Sequence, residues 1–260
     1  MIFYVPSDQG RLSQLNGQVT SLSIENTQLH AAADKTAAAD GTTGYASLQA
    51  PAVSQSIQNV VRGRYIAPAI VQKGAIMNIT VEIQAGKGRV LVHTKPLMGV
   101  TFQDAANTAV AVAGNKTGYD LSKSDVIYSI EVGDQVPGVD GPSAGALMTL
   151  LAISALEKRP INGALTMTGT ISGDGHIGAI GGVVAKATAA KEQGNTLILI
   201  PAENQNIASP SSGAAATGFF GAARPVQQVS AKDYIEKNIG INVTYVNTID
   251  DVLAAALKPS

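Results

Sequence analysis

Residues 165–200 read LTMTGTISGDGHIGAIGGVVAKATAAKEQGNTLILI, and Pro201 follows them. Both ends are aliphatic and β-branched. The middle, Val183–Gln193, contains neither Gly nor Pro and is dense in Ala. This pattern predicts a strand over Leu165–Ser172, a helix over Val183–Gln193 closed by Gly194, and a buried strand over Thr196–Ile200 ended by Pro201. Working outward, β-branched runs at Ile76–Ile83 and Val90–His93 predict strands, with Gly86-Lys87-Gly88 as the turn between them. A helix follows at Gln103–Ala113, ended by Gly114-Asn115, then a strand at Val126–Val132 and a very apolar helix at Ser143–Leu156. A last strand at Ile241–Val246 and a closing helix at Ile249–Leu257 complete the chain. Strands and helices alternate irregularly, so the fold class is α/β (α+β), one compact domain over 51–260. The stretch 202–231, rich in Ala, Gly, Ser and Pro, reads as a surface insertion.

The 260 residues carry 18 Lys and Arg against 19 Asp and Glu, and only 14% are charged. Such a surface presents no basic face to a phosphate backbone, which argues against nucleic acid as a partner. With no cysteine, disulfides, thiolate nucleophiles and Cys-based metal sites are excluded. The three histidines, His30, His93 and His176, have no metal-ligand spacing, so neither a metal nor a cofactor is expected.

Before Pro51 the chain changes character. Leu12, Leu15, Val19, Leu22, Asn26 and Leu29 fall on a 3-4-3-4 spacing, a heptad seam with one polar position. Gly17 and the many Ser and Thr residues weaken it as a helix. Two readings stand: a self-associating coiled coil, or an amphipathic helix lying on its own domain. Residues 31–50 are small and polar and read as a linker, which sets 1–50 apart from the domain. The apolar opening Met1-Ile2-Phe3-Tyr4-Val5 is too short for a signal peptide; it fits a frayed end or the remainder of a signal or membrane anchor. The compartment is left as cytoplasmic or membrane-associated.

Gly141-Pro142-Ser143-Ala144-Gly145 is a G-x-S-x-G sequence that opens the apolar helix. A serine hydroxyl there lies among unpaired backbone N–H groups and positive potential, which stabilise a developing oxyanion. The same serine also fits a plain helix N-cap. A Ser-Asp-His triad in α/β-hydrolase order has no parts, because only His176 follows Ser143 and the acids between are Glu157 and Asp174. Lysine is the remaining base. On the helix over Val183–Gln193, Lys186 shares its face with Gly182, Val183, Ala189 and Ala190, and burial there lowers an amine toward neutrality. A lysine that snorkels to water is the alternative. Gly173-Asp174-Gly175-His176-Ile177-Gly178 matches G-x-G-x-x-G, but a further loop, Ala179-Ile180-Gly181-Gly182, precedes the next helix and no acidic residue closes a second strand about 20 residues on, so it reads as a glycine-rich turn. No P-loop occurs in the sequence.

Asp140-Gly141-Pro142-Ser143-Ala144-Gly145, Met167-Thr168-Gly169, Ile180-Gly181-Gly182 with Lys186, and Ile198-Leu199-Ile200-Pro201-Ala202-Glu203-Asn204 together resemble the proteolytic domain of the Lon protease family. The resemblance extends from Gly86-Lys87-Gly88 to the end, where Thr248-Ile249-Asp250-Asp251-Val252-Leu253 is similar to the family's final helix. It implies a Ser–Lys dyad of Ser143 and Lys186, with Thr168 orienting the amine and Asp140 as the acid before the nucleophile. It also implies an oxyanion turn at Gly141, Pro142 and Ala144, polypeptide substrates, and a homo-oligomer in the form of a hexameric ring. Glu131 and Ser129 depart from the family, standing where many Lon enzymes have histidines. With no ATPase module, the expected activity is an ATP-independent serine endopeptidase for flexible chains, fed by a separate unfoldase where folded substrates are concerned. A catalytically idle scaffold and a self-processing peptidase are the rival expectations.

Overall fold

The computed structural model describes residues 18, 21–22, 42–62, 65–95, 97–132, 138–139, 141–208 and 227–258. Most of the heptad segment and Asp140 lie outside them; Gln18, Ser21 and Leu22 are helical and exposed.

The chain enters the domain on two long antiparallel strands, β1 (Gly44–Arg62) and β2 (Tyr65–Ala85), paired from Gly44↔Ile83 to Arg62↔Tyr65. Next come β3 (Val90–Thr94), the two-residue β4 (Leu97–Met98), helix α1 (Val100–Thr117) and β5 (Ser124–Val132). A second short strand, β6 (Gly138–Val139), pairs in parallel with β4 and precedes a 3-10 turn at Pro142–Ala144. That turn runs into α2 (Gly145–Glu157), followed by β7 (Leu165–Met167), α3 (Val183–Glu192) and β8 (Leu197–Pro201). After a 3-10 turn at Ala202–Asn204, β9 (Asn206–Ala208) pairs with β10 (Gln228–Ser230). Helix α4 (Ala231–Asn238), β11 (Asn242–Val246) and α5 (Ile249–Ala256) finish the fold.

Two sheets dominate: a mixed one in the order β1-β2-β5-β3 and a parallel one in the order β11-β8-β7. Helix α2 is buried from Gly145 to Leu156, as a helix apolar all round must be. It forms one core with α1, the inward residues Met77, Ile79, Val81 and Ile83 of β2, and Leu199 of β8. The alternate residues of β8, Ile198 and Ile200, face a second core built with Val183, Ala187 and Ala190 of α3 and Ile235 of α4. The parallel sheet thus divides two cores.

Several elements differ from the sequence expectation. The domain starts at Gly44 rather than near Pro51, with Ala46, Leu48 and Ala50 buried. Small side chains suit this stretch because β1 lies against α2: a Cβ on Gly44 would collide with the Ala155 carbonyl. The Gly86-Lys87-Gly88 turn joins β2 to β3, but the two strands are not neighbours, since β5 inserts between them. Asp125 holds that turn, accepting from the amides of Lys87 (2.8 Å) and Arg89 (3.0 Å) and from the Arg89 guanidinium. Helix α1 runs on to Thr117 and closes at Gly118, whose φ of 73° is left-handed. Strand β7 ends at Met167 rather than Ser172, because the Gly169 N–H turns away to the Ser143 carbonyl. The ends of the 202–231 insertion are the β9–β10 ribbon, and the helix α4 that follows was not anticipated. No described helix is long and apolar enough to cross a membrane.

Candidate active site

Ser143 is the middle residue of the 3-10 turn that feeds α2. Pro142 fits the first position of that turn, where no N–H is needed. Gly141 adopts φ 122°, ψ 144°, a conformation closed to L side chains. The Ser143 hydroxyl does not cap the helix; neither cap position carries a side-chain hydrogen bond. It faces Lys186 instead, whose Nζ lies 2.8 Å from Ser143 Oγ.

Lys186 stands on α3, only 4% exposed. It does not snorkel: its amine points inward, 2.9 Å from Thr168 Oγ1. Burial pushes the amine down to about 8. None of the ion pairs among the described residues includes it, so desolvation alone accounts for the shift.

Thr168, 1% exposed, follows the end of edge strand β7 and joins the two partners. Its hydroxyl accepts from Lys186 and donates to the Ser143 carbonyl at 3.1 Å. The same carbonyl takes the Gly169 N–H at 2.9 Å, and Gly169 returns its own carbonyl to the Ala146 N–H at 3.1 Å. The fit is close enough that a Cβ on Gly169 would lie 2.6 Å from Ile177 Cγ2. The structure therefore brings Ser143, Lys186 and Thr168 together.

The other expected site residues divide. Pro142 has no N–H and can donate nothing to an oxyanion. Gly141 spends its N–H on Thr101 Oγ1 at 3.1 Å. Inside the turn the Gly145 N–H donates to the Pro142 carbonyl and, as a 3-10 turn over Pro142–Ala144 requires, the expected donor Ala144 spends its N–H on the Gly141 carbonyl, so the Ser143 amide is the donor the turn itself does not use.

Sequence reasoning gave no role to Thr101, Glu203 or Asn204 beyond the motif containing the last two. Asn204 pairs with both backbone groups of Ile180 at 2.9 Å. Glu203 accepts from the Ala179 N–H at 2.8 Å and from His176 Nε2 at 2.9 Å, contacts that hold its carboxyl below the usual range. Together they fix the loop leading into α3. His176 is thereby engaged away from Ser143. The 173–178 segment is a turn, with the Ser172 N–H on the His176 carbonyl, as expected. Ser129 and Glu131 lie on β5, Glu131 exposed.

Residues 55–209 match the family model of the Lon protease (S16) C-terminal proteolytic domain, more than half of the chain. The chain belongs to that family. The match begins ahead of Gly86 and stops before α4, β11 and α5. Similar proteins include the Lon protease of Clostridioides difficile, 35% identical over 50% of this chain and 17% of its own length. The archaeal Lon protease of Methanothermobacter thermautotrophicus is 32% identical over 55% and 22%, respectively. Lon protease 2 of Bacillus subtilis is 42% identical over 33% and 15%. The chain thus spans less than a quarter of the length of these Lon relatives. Membership in the Lon proteolytic family supports a peptidase function.

Proposed function

We propose that this Lon-type domain is a serine endopeptidase in which Ser143 is the nucleophile and Lys186 its general base, acting on flexible or unfolded polypeptides without ATP. The observation that carries the reading is the 2.8 Å contact between a buried, uncompensated amine and a serine hydroxyl at a helix N-terminus. A catalytically idle scaffold would have no need to keep a lysine dry.

The neutral amine donates one N–H to Thr168 Oγ1, which turns its lone pair toward the Ser143 hydroxyl. Thr168 cannot compete for that lone pair, because its own proton is committed to the Ser143 carbonyl. Lys186 takes the hydroxyl proton as Oγ bonds to the scissile carbonyl carbon, and the Ser143 amide stabilises the oxyanion. The lysinium then protonates the leaving nitrogen as the C–N bond breaks, leaving an acyl-enzyme. Water, deprotonated by the same amine, releases the acid and returns the proton to Oγ. With the amine near 8, roughly a tenth is neutral at pH 7. Nothing in this cycle uses a nucleotide. A homo-oligomeric ring and a separate unfoldase that feeds it belong to the same reading.

Hydrolysis of a fluorogenic peptide, with and without ATP, tests it. Ser143→Ala and Lys186→Ala should each lower kcat by about 10³-fold or more, and the double variant should be no worse, since the pair acts as one unit. Wild-type activity should rise with pH along a limb centred near 8 and should not respond to ATP. A Lys186→Ala variant that keeps its activity at neutral pH removes lysine from the mechanism.

A further inference from the structure

The nucleophile turn is held from two sides, and the dyad accounts for only one. Behind Ser143, Thr168 and Gly169 grip its carbonyl. Ahead of it, the Gly141 N–H donates to Thr101 Oγ1 at 3.1 Å. Thr101 lies in the first turn of α1, a helix fixed in the main core by Phe102, Ala105, Ala106 and Ala109. The cap residue of α1, Gly99, makes no side-chain hydrogen bond. The threonine therefore reaches from a rigid element to the residue where the chain is softest, because glycine is the residue whose backbone resists rotation least. Rotation at Gly141 swings Pro142 and, with it, the Ser143 amide.

We propose that Thr101 is a positioning residue for the nucleophile turn: its hydroxyl anchors Gly141 so that the Ser143 amide faces the developing oxyanion. The inference rests on the reading of Ser143 as nucleophile. It predicts a loss confined to the transition state, where that amide does its work. Lys186 has its own partner in Thr168 Oγ1, so the pH dependence should be unchanged.

The experiment compares wild type, Thr101→Val, Thr101→Ser and Ser143→Ala in steady-state cleavage of one fluorogenic peptide across pH. A peptide aldehyde serves as inhibitor, its hemiacetal oxygen taking the oxyanion's place. Thr101→Val should lower kcat about 3–10-fold, the range for one lost hydrogen bond, with KM within about twofold. Aldehyde affinity should fall in step with kcat, and the ascending limb should stay near 8. Thr101→Ser should restore activity to within about twofold, because the hydroxyl returns. If Ser143→Ala is inactive but Thr101→Val keeps wild-type kcat and aldehyde affinity, the role of Thr101 is refuted while the dyad stands. Failure of Thr101→Ser to restore activity refutes it too. An active Ser143→Ala overturns the underlying reading itself.

Discussion

Helix α2 buries every residue from Gly145 to Leu156, whereas α3 buries only Val183, Lys186, Ala187, Ala189 and Ala190. The first is a rod of large aliphatic residues at the centre of the main core. The second is a short, alanine-rich helix whose interior face belongs to the smaller core on the other side of the parallel sheet. Ser143 rides on the former and Lys186 on the latter. In the proposed dyad, the nucleophile side supplies rigidity, because a helix end embedded in close-packed Leu, Ile and Met has nowhere to move. The base side supplies electrostatics: small residues let the backbone come close and exclude water from the amine. Thr168, at the end of the edge strand, is where the two cores exchange hydrogen bonds.

That division can be broken most severely at the seam. Thr168→Val keeps the volume but deletes the hydroxyl that orients Lys186 and grips the Ser143 carbonyl. It should cut kcat about 10–100-fold, corresponding to about 1.5–3 kcal/mol for a bond to a charged or reacting group. Peptide hydrolysis at pH 8 measures this, and a fully active variant would show that the threonine is only filling space.

Lys186→Met sharpens the contrast by separating the cost of the base from its use. The amine falls from 10.5 in an unfolded chain to about 8 when buried, so the folded state binds its proton less readily. Stability from this group is intact above pH 10.5, declines as pH falls toward 8, and is fully lost below it. Removing the charge should therefore raise stability by on the order of 1–2 kcal/mol at pH 7, after allowance for the hydrogen bonds lost. Activity should disappear if Lys186 is the base proposed above. Denaturant titrations at pH 7 and pH 10.5 test the sign: the advantage should vanish at the higher pH, and equal stability at pH 7 would mean that the amine is well solvated.

The mildest change sits two residues earlier, inside strand β7. Thr166 is also fully buried, but its hydroxyl donates to the Gln49 carbonyl of β1 at 2.6 Å, away from the dyad. Thr166→Val should cost about 1 kcal/mol of stability and leave kcat within twofold. A large kcat loss here would mean that Thr168 acts through strand position rather than through its hydroxyl.

The parts of the molecule visible in the sequence are those where one strong periodicity or one rare residue type dominates. The all-apolar helix after Ser143 and the single lysine on the inward face of α3 are of this kind. What escaped is mostly close approach. Gly44, Ala46 and Ala50 look like linker residues, yet Ala46 and Ala50 are buried and a Cβ on Gly44 would collide with the Ala155 carbonyl, a surface remote in sequence. Helix α4 buries only Ala231 and Ile235, too few for a stripe. Its one local mark is Ser230, whose hydroxyl accepts from the Asp233 N–H. The Thr101–Gly141 bond spans forty residues and follows from no pattern in either segment. Pro142 was placed in the oxyanion turn by motif, where its missing N–H argues otherwise.

The shift of Lys186 has one physical source, and that gives the site an unusual dependence on its own integrity. A base tuned by a neighbouring charge keeps its tuning as long as the neighbour stays near. This one is tuned by dryness. In the proposed mechanism, any fluctuation that lifts α3 and admits water returns the amine toward 10.5, protonates it, and removes the activation of Ser143 in the same motion. On that reading a partly opened molecule is chemically silent as a cutter of its neighbours, and competence returns only when the second core closes again.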